Sequence, residues 1–379
     1  MSFRTRVILI CVFMAAVVAV SYWYMKITTG RVEVEEVKTW RLHDNLLAVS
    51  FCNDSTGWAV GQYGTIVTST DGGKKWTYQN STVSSDLVGI CGVNVETACA
   101  VGFGGVVLRT TDGGKNWKKV STGMRYLYND VKFVSPTEGW IVGQYEVILH
   151  STDGGITWEK VHGGEPAELD ISQLKEGELV KEDFGAEEEV YTLNSVYFLN
   201  PQMGWAVGEY GVVLRTVDGG KTWGKLKSGT GNTLTDVDFL NKDFGFAVGV
   251  GDTILKTTDG GTTWSQESPA KKTNYFGITF RRGGPDIIRK DAFAVGQGVI
   301  AYYAFLKKPY LQNWMAPTEM KLKIDYDWLY RVKFITRTGE EALAVGQSGM
   351  ILRAATGGYS WEMMDYPEKT VELVLANNS

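Results

Sequence analysis

The chain has 379 residues with a formal net charge of −5, and its 45 glycines, 13 tryptophans and 18 tyrosines are heavy for a helical protein. That composition suits many short strands joined by tight turns. The modest negative charge gives no electrostatic footprint for nucleic acid, so a phosphate-backbone binder is excluded as the leading class.

Taken in chain order, the first feature is apolar. Arg4 and Arg6 precede Val7–Val20, which carries no charge, and Tyr22, Trp23 and Tyr24 follow it. About twenty apolar residues cross a bilayer core, and aromatic rings favour the headgroup level. The reading is a cytoplasmic stub over 1–6, a transmembrane signal anchor over 7–25, and everything beyond on the extracytoplasmic side, since arginines stay on the cytoplasmic side. A signal peptide cut after Ala19 is the alternative, and it exports the remainder equally. The membrane localisation is therefore expected to be single-pass.

Residues 32–379 repeat. Ser69-Thr70-Asp71-Gly72-Gly73-Lys74-Lys75-Trp76 recurs at Thr110–Trp117, Ser151–Trp158, Thr216–Trp223 and Thr257–Trp264. The aspartates Asp71, Asp112, Asp153, Asp218 and Asp259 are spaced by 41, 41, 65 and 41 residues, and 65 is 41 plus an insertion of 24. A second signature, Gly57-Trp58-Ala59-Val60-Gly61, precedes each turn and returns twice more, as Ala292–Gly296 and Ala342–Gly346. Those last two units have lost the aspartate turn, although Thr356–Trp361 keeps its outline. Seven units of four short strands predict an all-β, seven-bladed β-propeller of four-stranded blades behind one transmembrane helix. In each turn the aspartate accepts backbone N–H groups and the glycines supply φ > 0, a structural role. Val32–Leu42, the strand holding Trp361 and Val371–Leu375 compete to close the ring.

Several side chains stand out as sites. Three residues before each turn aspartate the sequence reads Thr68, Arg109, His150, Arg215 and Lys256, with Tyr302 and Arg353 as equivalents. Equivalent blade positions lie on a ring about the axis, so Arg109, Arg215, Lys256 and Arg353 form a candidate partner-binding cationic ring; packing between blades with local hydrogen bonds is the alternative. The insertion 163–190 holds ten acidic residues, among them Glu165, Glu168, Asp170, Glu187, Glu188 and Glu189, and is a candidate partner-binding loop or a solvated one. Arg281 and Arg282 form a basic loop in degenerate unit six. Cys52, Cys91 and Cys99 are an odd set, in which Cys91–Cys99 is a possible pair and buried free thiols the alternative. No metal-ligand spacing or cofactor motif is present in the sequence, and with three histidines (His43, His150, His162) and no nucleophile motif, acid–base chemistry has few players.

The S/T-x-D-G-G-x-x-W run is the Asp-box, or bacterial neuraminidase repeat. Paired with the G-W-A-V-G block over roughly residues 40–365, it resembles the photosystem II stability/assembly factor family. The resemblance implies a seven-bladed propeller on the lumenal side of a membrane, acting without catalysis as a scaffold that binds a membrane-protein client such as a photosystem subunit. It also implies an arginine-rich patch, to which Arg109, Arg215 and Arg353 are the closest matches. Bacterial relatives without photosystems imply the alternative of an accessory module of a resistance-nodulation-division transporter. A sialidase-like glycoside hydrolase shares the turns, but the opening Phe/Tyr-Arg-Ile-Pro segment of that class is absent.

Overall fold

Leu46–Phe51, which leaves Leu47, Ser50 and Phe51 partly exposed, followed by the wholly buried Gly57–Gly61, sets the pattern of the units. A strand half-buried beside the axis precedes one buried on both faces. The computed structural model describes residues 39–41, 44–164, 190–282, 291–303, 314–315, 324, 327–336, 339–355, 360–364 and 368–370. Within them lie seven four-stranded sheets, each built of consecutive strands in simple order, which is the expected seven-bladed propeller. Blade one is Leu46–Phe51, Gly57–Gly61, Ile66–Ser69 and Thr77–Gln79, all antiparallel. The inner strands of blades two to seven are Leu87–Gly92, Tyr128–Phe133, Leu193–Asn200, Leu234–Phe239, Tyr275–Phe280 and Leu329–Phe334.

The core lies between blades rather than within them. Ala48, Trp58 and Ile66 of blade one pack with Leu87, Ala98 and Trp117 of blade two, and Phe293 and Tyr302 of blade six pack with Leu352 and Trp361 of blade seven. The Asp-box tryptophan meets the phenylalanine of its own inner strand edge to face, as in Phe51–Trp76 at 88° and Phe198–Trp223 at 88°.

Each Asp-box turn is built the same way. The hydroxyl of Thr216 donates to Asp218 at 2.8 Å and accepts the N–H of Gly220 at 2.9 Å, while the Asp218 carboxylate accepts the N–H of Thr222 at 3.0 Å. Gly219 and Gly220 hold φ of 78° and 81°, which a side chain rarely tolerates. The turn meets the hairpin between the first two strands, with the N–H of Gly72 bonded to the Ser55 carbonyl at 2.9 Å, so both lie on one face of the ring. The links between second and third strands lie on the opposite face, where the N–H of Gln62 bonds to the Asn45 carbonyl at the start of the inner strand.

Of the strands competing for closure, Ser360–Met363 with Trp361 is the fourth strand of blade seven. Leu46, Val49 and Trp76 then pack with Leu343, Val345 and Ile351 to close the ring between blades one and seven. Thr39–Arg41 pairs instead with Glu368–Thr370 in a separate two-stranded sheet. Residues 32–38 and 371–379 lie outside the described residues. So do 1–31, and no helix among the described residues is long and apolar enough to cross a membrane.

The insertion is accommodated by one departure from the repeat. In blades one and four a glycine ends the link between second and third strands, because a Cβ on Gly64 would meet the Val83 carbonyl at 2.0 Å and one on Gly211 the Thr230 carbonyl at 2.1 Å. Blade three has Glu146 there, with φ of 52°. Its connection is the one that carries the insertion. Glu146 now bonds Tyr191 through both backbone and carboxylate, and pairs with Lys225 at 3.4 Å and His162 at 3.8 Å. The buried glutamate thus ties together the two described ends of the insertion.

Candidate functional site: the axial chamber

The inner strands supply the site. A register shift follows the first residue of each, and from there the side chains at the third and fifth positions turn to the axis. The third positions of blades three, four, five and seven are Asp130, Ser195, Asp236 and Arg331. Ser195 bonds Asp130 at 3.1 Å and Asp236 at 2.7 Å, and Arg331 of blade seven reaches Asp236 of blade five at 2.8 Å. A bond between blades two apart is possible only across the axis. The Asp236 carboxylate also accepts the N–H groups of Val237 and Ile278. Burial by itself would raise its pKa, yet Arg331, Lys333 and these donors outweigh burial and hold the carboxyl below its ordinary range.

One layer further along stand Cys91, Lys132, Tyr197, Asp238, Thr279 and Lys333. Asp238 pairs with Arg282 and accepts the N–H of Phe280 at 3.0 Å. Arg282 follows the inner strand of blade six, donates to the Phe239 carbonyl at 2.8 Å and the Tyr197 hydroxyl at 3.1 Å, and stacks over the Tyr197 ring. Lys132 and Lys333 have no ion-pair or hydrogen-bond partner among the described residues. Burial pulls the Lys333 ammonium below its ordinary pKa against the attraction of Asp236 and Asp238, and the neighbouring Lys132 adds to the depression. The result is a chamber of about 300 Å³ that opens on the Asp-box face, with Asn53, Asp54, Arg282 and Thr336 at its rim. Its carboxylates are engaged and two of its cations are not. Such a space suits an anionic or polar chain segment better than an acid–base pair, because Asp236 and Asp238 are each committed to an arginine.

The side chains singled out from the sequence lie elsewhere. Arg109, Arg215, Lys256 and Arg353 sit on third strands, two strands out from the axis, and the structure does not gather them. Arg109 donates to the Gly154 carbonyl of the next blade at 2.7 Å. Arg353 donates to Gly72 of blade one at 3.3 Å and pairs with Glu341 at 2.6 Å. Arg215 lies over Trp205, and Lys256 pairs with Glu267 at 2.6 Å. His150 bonds Glu138 at 2.7 Å and stacks on Trp140. Arg109 and Arg353 are thus staples between blades, the alternative that the sequence left open. Arg281 pairs with Asp291 at 3.6 Å. Glu165, Glu168, Asp170, Glu187, Glu188 and Glu189 lie outside the described residues. Cys91 and Cys99 face each other in register but, like Cys52, are free thiols. The inner strands read as half-buried by their alternation, which does not by itself mark their charged positions as meeting at the axis. Aligning Tyr128–Phe133, Leu234–Phe239 and Leu329–Phe334 exposes their signal, since Asp130, Lys132, Asp236, Asp238, Arg331 and Lys333 recur at the third and fifth positions.

Fold and chamber together define a seven-bladed Asp-box propeller with a charged axial chamber. The family described as photosynthesis system II assembly factor YCF48 matches residues 31–126, 97–186, 123–230 and 223–302, and the chain belongs to that family. Comparison with curated protein sequences found no match. Among solved structures, YCF48 bound to D1 peptide is similar with a TM-score of 0.62 and 16% identity, over 84% of this chain and 94% of that one. YCF48 from Cyanidioschyzon merolae gives 0.62 and 17%, over 83% and 96%. The GH74 enzyme of Niastella koreensis gives 0.61 and 12%, over 85% of this chain but 54% of its own length. At these identities the structural likenesses carry the fold alone.

Proposed function

We propose that the chain is a non-enzymatic, membrane-anchored scaffold. It holds a polypeptide segment of a membrane-protein client on the extracytoplasmic side, and the axial chamber is the receptor for that segment. The observation that carries this is the pair Lys132 and Lys333, two chamber cations that make no ion pair or hydrogen bond among the described residues, whereas Asp130, Asp236 and Asp238 are all directly bonded. Family membership and the D1 peptide bound by a relative support a photosystem reaction-centre subunit as the client. A resistance-nodulation-division transporter is the alternative client, and it requires the same anchor over residues 7–25. The likeness to GH74 enzymes covers about half of their length, and Asp236 and Asp238 are bound by Arg331 and Arg282 rather than free to shuttle protons.

Co-purification with the tagged, detergent-extracted full chain tests the reading. Recovery of a reaction-centre subunit with the wild type and its loss with a Lys132→Met/Lys333→Met variant is the expected result. Recovery of a transporter instead selects the alternative client. Hydrolysis of a glycoside by the purified chain, or client capture indifferent to both lysines, overturns the proposal.

A further inference from the structure

The axial chamber has a floor. Beneath Lys132 and Lys333, the third positions of the inner strands close the axis. Arg331 reaches across it to Asp236 at 2.8 Å, and Ser195 ties Asp236 to Asp130. Ser195 is 1% exposed and Asp236 2%, so this layer is filled. Gly89 and Gly277 let neighbouring inner strands close in at the same level. A Cβ on Gly89 would meet the Asp130 Cα at 3.0 Å, and one on Gly277 the Arg331 Cα at 3.0 Å. A chain that enters from the Asp-box face therefore stops at this layer instead of threading to the opposite face.

The floor limits what enters. A space of about 300 Å³ stands at the lower end of ligand pockets, which run from roughly 300 to 1,000 Å³. A polypeptide loop needs room for both of its strands, so only a tip fits: one side chain, or the end of a chain.

The wall decides the charge of that tip. At the fifth positions Ser50, Cys91, Tyr197 and Thr279 are neutral, and the remaining wall is cationic through Lys132 and Lys333. Among the described residues within the rim, the carboxylates are Asp130, Asp236 and Asp238, against the four cations Lys132, Arg282, Arg331 and Lys333. One positive charge stands in excess. Asp236 and Asp238 are bonded to the two arginines, which leaves the excess on the lysines. Burying an ammonium group without a counter-charge is costly, and a carboxylate brought between two of them offsets that cost. The N-terminal ammonium of a chain would add repulsion instead.

We propose that the client enters the chamber by a single carboxylate, which Lys132 and Lys333 hold from opposite sides above the closed floor. The inference rests on the scaffold reading and deepens it. Its chemistry is met by an acidic side chain or by a C-terminal carboxylate, and the test separates these sources. The full chain in detergent is treated briefly with acetic anhydride, and acetylation of Lys132, Lys333 and the exposed Lys74 is read by mass spectrometry. The reaction is run alone and with each of three millimolar probes. N-acetylglycine carries a chain-end carboxylate, the α-amide of N-acetylglutamic acid carries a side-chain carboxylate, and N-acetylglycinamide carries none.

The expected result is several-fold slower acetylation of Lys132 and Lys333 with at least one carboxylate, and no change with the glycinamide or at Lys74. The carboxylate that protects more identifies the source. Equal protection by the glycinamide, or protection by no probe, overturns the inference. Lysines that fail to react even without a probe are closed to small molecules, and that result overturns it as well. Client capture that still depends on the two lysines then leaves the scaffold reading standing, whereas capture indifferent to them sinks both.

Discussion

Thr216 shows how much of the fold rests on single side chains. It is 1% exposed and bonds both Asp218 and the N–H of Gly220. Thr216→Val keeps the shape and leaves that N–H unsatisfied, so the variant is expected to lose about 2 kcal/mol in urea unfolding. The carboxylates of the same turns predict an acid response. The Asn116 side chain bonded to Asp112, and the Thr222 hydroxyl bonded to Asp218, lower those carboxyls to about 2. An unfolded carboxyl titrates near ~3.9, so on acidification the unfolded chain takes up protons before the folded one. The stability these turns contribute is whole above pH ~4 and drains as the pH falls toward ~2. Urea midpoints measured between pH 5 and 2.5 are expected to fall across that window. A double Asp112→Asn/Asp218→Asn variant is expected to show a shallower fall, and an unchanged slope would contradict the assignment. These turns were legible in the sequence because the whole hydrogen-bonded unit fits inside eight consecutive residues.

At the scale of elements, neighbouring blades are held by apolar packing and by third-strand arginines that reach the next blade's turn. Arg353 makes the contact that joins the last blade to the first, through Gly72, and it neutralises Glu341. Arg353→Met strands that glutamate. The expected loss is about 2 kcal/mol, less than for a fully buried pair because Glu341 is partly solvated. Arg109→Met breaks one neutral-acceptor bond at an internal junction and is expected to cost about 1 kcal/mol. Hydrogen exchange should locate the Arg353→Met effect in blades one and seven, where ring closure is lost. Strand positions were readable from the repeat, but closure was not. Val32–Leu42, Trp361 and Val371–Leu375 are all apolar enough to serve, and the choice depends on which strand can pair with Ile351–Ala355 without leaving a neighbour unpaired. Nor did the repeat predict Glu146, which stands with positive φ where blades one and four have Gly64 and Gly211.

For the whole molecule, the proposed role of the chamber can be tested apart from stability. Lys132 and Lys333 make no ion pair or hydrogen bond among the described residues, and burial already disfavours the charge of Lys333. Replacing both with methionine is expected to leave the thermal midpoint unchanged or raised, while client recovery falls at least tenfold. A variant that unfolds would show instead that the lysines are structural.

The sequence by itself determined the architecture. A 41-residue period with two signatures specifies strands, turns and seven blades, because hydrogen bonding in hairpins is local and repeats with the residues that make it. The site was decided by tertiary structure. Asp130, Ser195, Asp236 and Arg331 come from four blades spread over some two hundred residues of chain. They meet only because closing the ring turns the same strand position of each blade toward one axis. A periodic sequence records what each blade shares, whereas the chamber is made of what each blade has changed.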